Sequence, residues 1–187
     1  AYEATDASYR GWVTVPVLWD KESQRIVNNA DDDLMLILTC QFDAFTDSDL
    51  DLYPGALRSE IDAINDLVYP AINDGVYRCG FADTQAAYDQ RVQRLFAALD
   101  SLEERLARQR YLAGHRITEA DWRLFVTLIR FDPVYHGHFK CNLRRIVDYP
   151  SLHAYMRELY QHPEVADTVR FDHIKRHYYI THDDINP

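Results

Sequence analysis

Cysteine, net positive charge and long apolar runs are all scarce or missing in this 187-residue sequence. The three cysteines, Cys40, Cys79 and Cys141, lack the close spacings of disulfide frameworks and zinc sites, so no metal site is predicted. There is no run of about 18 apolar residues to form a membrane-spanning helix, and no signal peptide is recognisable. A net charge of −10 argues against nucleic acids and anionic membranes as partners. Together these absences favour a protein of the reducing cytoplasm.

The residues that are present in quantity are typical of a packed globular protein. Apolar residues make up 47% of the chain and aromatic residues 13%, which is enough for a good core at this length. The chain begins at Ala1 rather than Met, in a loop-like stretch, so we expect a further segment upstream of it.

The first 45 residues follow an α+β pattern. Residues 12–19, WVTVPVLW, predict a buried strand that Pro16 interrupts, and residues 25–27 predict its hairpin partner. The run NADDD at 29–33 predicts a helix start, because the helix macrodipole favours negative charge in the first turn. Two strands and one helix do not make a sheet of three or more strands. Residues 1–45 are therefore interpreted as the C-terminal part of a larger α+β domain.

From residue 54 to residue 187 the pattern is helical. After the polar stretch 45–53, apolar residues recur at a helical period in residues 56–72, 83–110 and 152–160. This predicts a second, all-helical domain over residues 54–187, and a protein that is mainly α.

Residues 111–130, YLAGHRITEADWRLFVTLIR, contain the best-defined helix start in the chain. Thr118 and Asp121 have the spacing of a capping box, in which each residue's side chain binds the other's backbone amide. The residues that follow are apolar nearly all round, which indicates a buried helix. Thr118 and Asp121 are therefore interpreted as a structural cap without a chemical role.

Several segments together resemble a known family. VPVLWD, IVNN and YLAGHRITEADWRLF are similar to the glutathione transferase superfamily. NDGVYRCGFADTQAAYD, LIRFDPVYHGHFKCN and FDHIKRHYYITHDDINP resemble its xi class, the glutathionyl-hydroquinone reductases. The resemblance implies a thioredoxin-like domain, of which the N-terminal part is missing here, joined to the all-α glutathione transferase C-terminal domain. It also implies a homodimer.

The resemblance implies a reaction in which glutathione is the co-substrate and a glutathionyl-hydroquinone is the partner. Family members use the cysteine thiolate of a Cys-Pro motif to attack the conjugate's sulfur, and a second glutathione resolves the mixed disulfide. This sequence has no Cys-Pro pair. Its three cysteines are interpreted as structural thiols, so the nucleophile is expected outside this chain.

The resemblance also places a thiol-binding site in the first domain. Val15 and Pro16 match the superfamily's Val-cis-Pro, whose backbone pairs with glutathione. Ala30 and Asp31 stand where family members have Glu and Ser holding the γ-glutamyl carboxylate. Because Asp31 begins a run of three aspartates, a carboxylate ligand meets like charge there. Two interpretations remain open: glutathione binds weakly or not at all, or the natural thiol lacks that carboxylate, as mycothiol does.

On the substrate side, Tyr77, Tyr135 and Tyr178 match the family's three pocket tyrosines. Phenols with a reference pKa near ~10 stay protonated at neutral pH and can donate hydrogen bonds to quinol oxygens. His136 and His138 flank Gly137, but without a third ligand they are interpreted as surface or hydrogen-bonded histidines rather than a metal pair.

Three functions remain open from the sequence. The first is a thiol-dependent reductase of glutathionyl-hydroquinones, and the second is a non-catalytic protein that binds ligands in the same helical pocket. A weaker third is ordinary glutathione transfer to electrophiles, which would use Tyr or Ser in place of the cysteine. An upstream Cys-Pro motif would favour the first, and its absence would remove it.

Overall fold

The computed structural model describes residues 1–185, and its contacts divide the chain into two compact units, with the boundary in the sequence between Pro54 and Gly55. The first unit is a small α+β arrangement, and the second is helical throughout the part that is described. None of the helices in the described residues is long and apolar enough to cross a membrane.

The first unit contains the predicted hairpin and helix, preceded by a short helix. Its elements are α1 (Tyr2–Thr5), β1 (Leu18–Asp20), β2 (Arg25–Asn28) and α2 (Asp31–Cys40), with a 3-10 turn at Asp43–Phe45. The strands β1 and β2 are antiparallel, with Trp19 opposite Ile26. Among residues 1–54, Leu34 is the one buried hydrophobic side chain, and it is 7% exposed.

The predicted strand over residues 12–19 is wrong for most of its length. Only residues 18–20 are paired, and Trp12 is 91% exposed. Strand β2 provides partners for these three positions alone, and Pro16 has no N–H to extend the ladder. An apolar run therefore did not by itself make a strand.

The second unit is built from seven helices among residues 55–185. They are α3 (Arg58–Val68), α4 (Gly75–Gly80), α5 (Gln85–Leu106), α6 (Glu119–Arg130), α7 (Pro150–Tyr160), α8 (Val165–Thr168) and α9 (Phe171–Thr181). Two π-helical turns, Tyr69–Asn73 and Phe131–Tyr135, continue α3 and α6.

The core of this unit follows the helical period of the sequence. Helix α5 begins at the cap Thr84, whose hydroxyl accepts from the Ala87 amide at 3.2 Å. Leu95, Leu99 and Leu102 of α5 are buried on one face, in agreement with their spacing. Helix α6 contributes Leu124, Phe125, Leu128 and Ile129 to the core, as its apolar sequence predicts.

The capping box at the start of α6 is present and has two further partners. The amide and hydroxyl of Thr118 donate to Oδ2 of Asp121 at 2.7 and 2.9 Å. Oδ1 accepts from the Leu112 amide at 2.9 Å and from the Tyr155 hydroxyl at 2.7 Å. One buried carboxylate therefore ties the helix start to the preceding loop and to α7.

Candidate functional site

Three tyrosines that are distant in sequence meet in the second unit. Tyr77 lies on α4, Tyr135 ends the π-helical turn after α6, and Tyr178 lies on α9. The Tyr178 hydroxyl is hydrogen-bonded to the Tyr77 hydroxyl and, at 2.8 Å, to the Tyr135 hydroxyl. We call these three residues the tyrosine cluster.

Phe139 packs against all three rings of the tyrosine cluster. Its ring is stacked on Tyr135 at 5.5 Å and meets Tyr77 and Tyr178 edge-on at 5.3 and 5.7 Å, measured between ring centroids. Gly80, one turn after Tyr77, leaves the space that Phe139 fills, because a Cβ atom there would overlap its ring. The sequence analysis missed both residues, although each lies in a segment that carries the family resemblance.

The environment keeps the buried hydroxyls protonated. Burial raises the pKa of Tyr135 far above its ordinary value, and the neighbouring Tyr77 and Tyr178 raise it further. Burial also raises the pKa of Tyr178, although its hydrogen bond with Tyr135 and the charge of Arg130 act in the opposite direction. Tyr135 and Tyr178 are buried and Tyr77 is half-buried, so Tyr77 is the most accessible member of the cluster. The cluster can therefore present neutral O–H donors to an oxygen ligand.

The interpretation of His138 as a surface or hydrogen-bonded residue is wrong. Its side chain is 0% exposed, and neither ring nitrogen has a hydrogen-bond partner within the described residues. It lies 4.8 Å from the Tyr179 ring and stacks at 6.0 Å on His182, between centroids. Helix α9 covers it, which a local sequence pattern does not reveal. His136 is half-buried.

The residues of the predicted thiol site all lie in the first unit. The Val15-Pro16 peptide bond is cis, and Val15 is exposed. Ala30 precedes α2, and its amide donates to the Asn28 side chain at 2.7 Å. Asp31 opens the first turn of α2, where it is exposed together with the two aspartates that follow.

The three cysteines form no disulfide within the described chain. Cys79 lies inside α4 and is buried, in agreement with its interpretation as a structural thiol. Cys141 is buried as well, whereas Cys40 near the end of α2 is partly exposed.

Other site types find little support in residues 1–185. There, no group of three His, Cys, Asp or Glu side chains is placed to hold a metal ion. A surface groove beside Glu60, Leu67 and Arg105 contains none of the three tyrosines.

Comparison with known proteins identifies the helical unit. Residues 85–158 match the glutathione S-transferase C-terminal domain. The glutathionyl-hydroquinone reductase PcpF of Sphingobium chlorophenolicum is 51% identical over 186 residues, an alignment that covers 100% of this chain and 59% of that protein. The helical unit is a glutathione S-transferase C-terminal domain.

Solved structures agree with this assignment and extend it over both units. The glutathione-bound structure of YqjG from Escherichia coli K-12 is 48% identical, with a TM-score of 0.97, and the match covers 100% of this chain and 60% of that chain. The xi-class enzyme of Phanerochaete chrysosporium is 51% identical, with a TM-score of 0.96 and coverages of 100% and 64%. The predicted fold class, a thioredoxin-like α+β part followed by an all-α glutathione transferase C-terminal domain, is confirmed.

This chain spans about 60% of the length of the relatives it matches. Its fold follows from the residues present. The activity of the whole protein is the subject of a proposal.

Proposed function

We propose that the protein is a thiol-dependent reductase of S-glutathionyl-hydroquinones and that this chain supplies the tyrosine cluster that binds the quinol. The observation that carries the proposal is the convergence of Tyr77, Tyr135 and Tyr178 from three helical segments onto adjoining hydroxyls. A relative of 51% identity named as a glutathionyl-hydroquinone reductase supports the same substrate class.

In the proposed reaction, a cysteine thiolate outside this chain attacks the glutathione sulfur of the conjugate. The bond between that sulfur and the ring carbon breaks, the ring carbon takes up a proton, and a cysteine–glutathione mixed disulfide remains. A second glutathione thiolate then attacks the glutathione sulfur of the mixed disulfide, which releases glutathione disulfide and restores the cysteine thiolate. The tyrosine cluster contributes O–H donors that bind the quinol oxygens and supplies the proton to the ring.

Glutathione is the proposed co-substrate, and the α2 terminus is expected to hold it weakly. The acidic first turn of α2, Asp31 to Asp33, is exposed at the helix end that would otherwise attract a carboxylate. The Ala30 amide is already occupied by Asn28. A low-molecular-weight thiol without the γ-glutamyl carboxylate would avoid this repulsion. Calorimetry on the intact protein tests the expectation, and a micromolar affinity for glutathione would contradict it.

The decisive experiment compares two neighbouring tyrosines of α9 in the intact protein. Tyr178→Phe removes the hydroxyl at the centre of the cluster, so turnover of a glutathionyl-hydroquinone should fall by about tenfold or more. Tyr179→Phe is the matched control, because Tyr179 is more exposed and its hydroxyl meets the Pro133 carbonyl at 3.4 Å. Equal rates for both variants and the parent would remove Tyr178 from the site.

A non-catalytic binding protein is the second candidate, and the acidic start of α2 favours it. Such a protein would bind a hydroquinone through the tyrosine cluster, and Tyr178→Phe would weaken that binding, but no thiol-dependent turnover would occur.

We further propose a homodimer, tested by light scattering, and a cytoplasmic location, which the free thiols of Cys79 and Cys141 favour.

A further inference from the structure

Three imidazole rings that the proposed reaction does not use lie together at the C-terminal end of α9. His138, in the turn after Tyr135, stacks on His182, which directly follows α9; the ring centroids are 6.0 Å apart and the ring planes differ by 18°. On the other side of His182, the ring of His177 on α9 is 5.7 Å away, also between centroids. We call these three residues the histidine cluster.

His138 is enclosed so completely that it cannot be protonated in place without a large cost. Its side chain is 0% exposed, and neither ring nitrogen has a hydrogen-bond partner among the residues that the structure describes. The ring of Tyr179 on α9 lies 4.8 Å from it, and the adjacent Phe139 stacks on it at 5.2 Å. A buried charge without a partner is strongly unfavourable, so a proton on His138 requires that the ring gain contact with water.

The charged groups around His138 oppose a positive charge more than they favour it. Burial, the neighbouring His182 and Lys140 of its own loop hold the pKa of His138 below its ordinary value. Asp184, beyond the end of α9, acts in the opposite direction. From α4 comes the uncharged ring of Phe81, which packs edge-on against His182. Two protonated rings stacked as closely as His138 and His182 would repel each other.

Helix α9 is held by few buried contacts. Of its eleven residues, Ile174 and Tyr178 are the two that are buried, and among the described residues no side chain caps its first turn. An element of this kind opens locally at a much lower free energy than the whole unit unfolds. Opening of α9 would bring His138 into water, and it would separate the Tyr178 hydroxyl from the other two hydroxyls of the tyrosine cluster.

We propose that the histidine cluster makes α9 an acid-sensitive latch on the tyrosine cluster, docked at neutral pH and opened when His138 takes up a proton. With α9 open, His138 meets water and has the ordinary histidine pKa of ~6.5. Because the docked state binds that proton less readily, docking is fully stable above pH ~6.5 and weakens as the pH falls below it. One linked proton raises the ratio of open to docked α9 by up to about tenfold between pH 7.5 and pH 5.5.

The test measures hydrogen–deuterium exchange of the intact protein by mass spectrometry at pH 7.5 and pH 5.5, with exchange times corrected for the intrinsic pH dependence of amide exchange. Peptides from residues 171–181 should lose protection by about tenfold at pH 5.5, while peptides from α5 keep theirs. Unchanged protection in residues 171–181 would show that no latch exists. An equal loss in α5 would show global unfolding, and either result would overturn the proposal.

Two histidine variants identify the sensor. In His138→Phe the ring stays aromatic and cannot be protonated, so the loss of protection at pH 5.5 should disappear. His115→Phe is the matched control, because His115 is exposed in the loop before α6 and its replacement should leave the loss intact. If the loss persists in His138→Phe, the assignment of His138 as the sensor is wrong. His138→Leu replaces the Phe variant if that variant does not fold, and the exchange of the parent protein decides on the latch in either case.

The effect of the latch on turnover rests on the proposed function, whereas the exchange measurement needs no substrate. Turnover of a glutathionyl-hydroquinone should fall more steeply from pH 7.5 to pH 5.5 in the parent protein than in His138→Phe, because opening removes the Tyr178 hydroxyl from the cluster. An equally steep fall in both proteins would show that the latch does not act on the site. Absence of turnover in the parent at both pH values would contradict the proposed function and leave the exchange result to decide on the latch.

Discussion

Asp121 offers the sharpest test of how the helical unit is held together. Asp121→Ala would leave four buried donors unpaired, namely the amides of Leu112 and Thr118 and the hydroxyls of Thr118 and Tyr155. An unpaired buried donor costs at least about 1 kcal/mol, so the free energy of unfolding should fall by about 4 kcal/mol. For a unit of about 130 residues, an unfolding entropy of ~2.1 cal/mol/K per residue converts this loss to a fall in Tm of roughly 15 °C.

The assay is urea and thermal unfolding followed by circular dichroism, with two comparison variants. Thr118→Ala loses the capping hydroxyl and should cost about 1 kcal/mol. Asp66→Ala changes an exposed aspartate on α3 and should stay within about 0.5 kcal/mol of the parent. If Asp121→Ala were no less stable than Asp66→Ala, the buried carboxylate would not have the role described.

A double-mutant cycle with Tyr155 tests the physical reason rather than the size of the effect. Tyr155→Phe alone removes the 2.7 Å bond to Asp121 and should cost about 1 kcal/mol. In the Asp121→Ala background the same change should be neutral or stabilising, because it removes a buried hydroxyl that already lacks its partner. Strict additivity of the two changes would refute the account of unpaired donors.

Three shorter predictions concern other parts of the chain. Burial and the neighbouring His182 and Lys140 lower the pKa of His138 below 6.5. As pH falls from ~6.5, the unfolded chain therefore binds a proton more readily than the folded chain does, and the free energy of unfolding falls. The urea midpoints at pH 7.5 and pH 5.5 should differ less in His138→Phe than in the parent protein, and an unchanged difference would contradict this. Gly80→Ala should displace Phe139 and lower turnover with little change in helicity, and an unaltered rate would contradict the packing argument. Asp31→Ser should raise glutathione affinity by about threefold in calorimetry, whereas Asp47→Ser in the loop should not.

The structural features that were predicted correctly from the sequence are those that depend on local patterns. Periodicity located α5 and α6, and the spacing of Thr118 and Asp121 located the start of α6, because these signals lie within one helix. The antiparallel hairpin in residues 18–28 was also predicted, although its first strand was drawn too long. A strand needs a partner, and no property of residues 12–17 reveals that they lack one.

The candidate site depends on contacts between distant segments, so only the family resemblance pointed to it. Nothing in the composition distinguishes Tyr77, Tyr135 and Tyr178 from the other ten tyrosines. Burial of His138 under α9 is likewise a product of tertiary packing. Such contacts cannot be predicted from local sequence patterns, because neither segment indicates which distant residue its side chain will contact.

The position of Tyr178 on the last helix of the described chain has a consequence for biosynthesis. Tyr77 and Tyr135 leave the ribosome long before α9, and the bridging hydroxyl arrives only when residues 171–181 have been made and docked. A nascent or prematurely terminated chain could therefore complete most of its helical core and still lack the hydroxyl that joins the other two. The tyrosine cluster is therefore complete only in chains whose synthesis has passed the last helix.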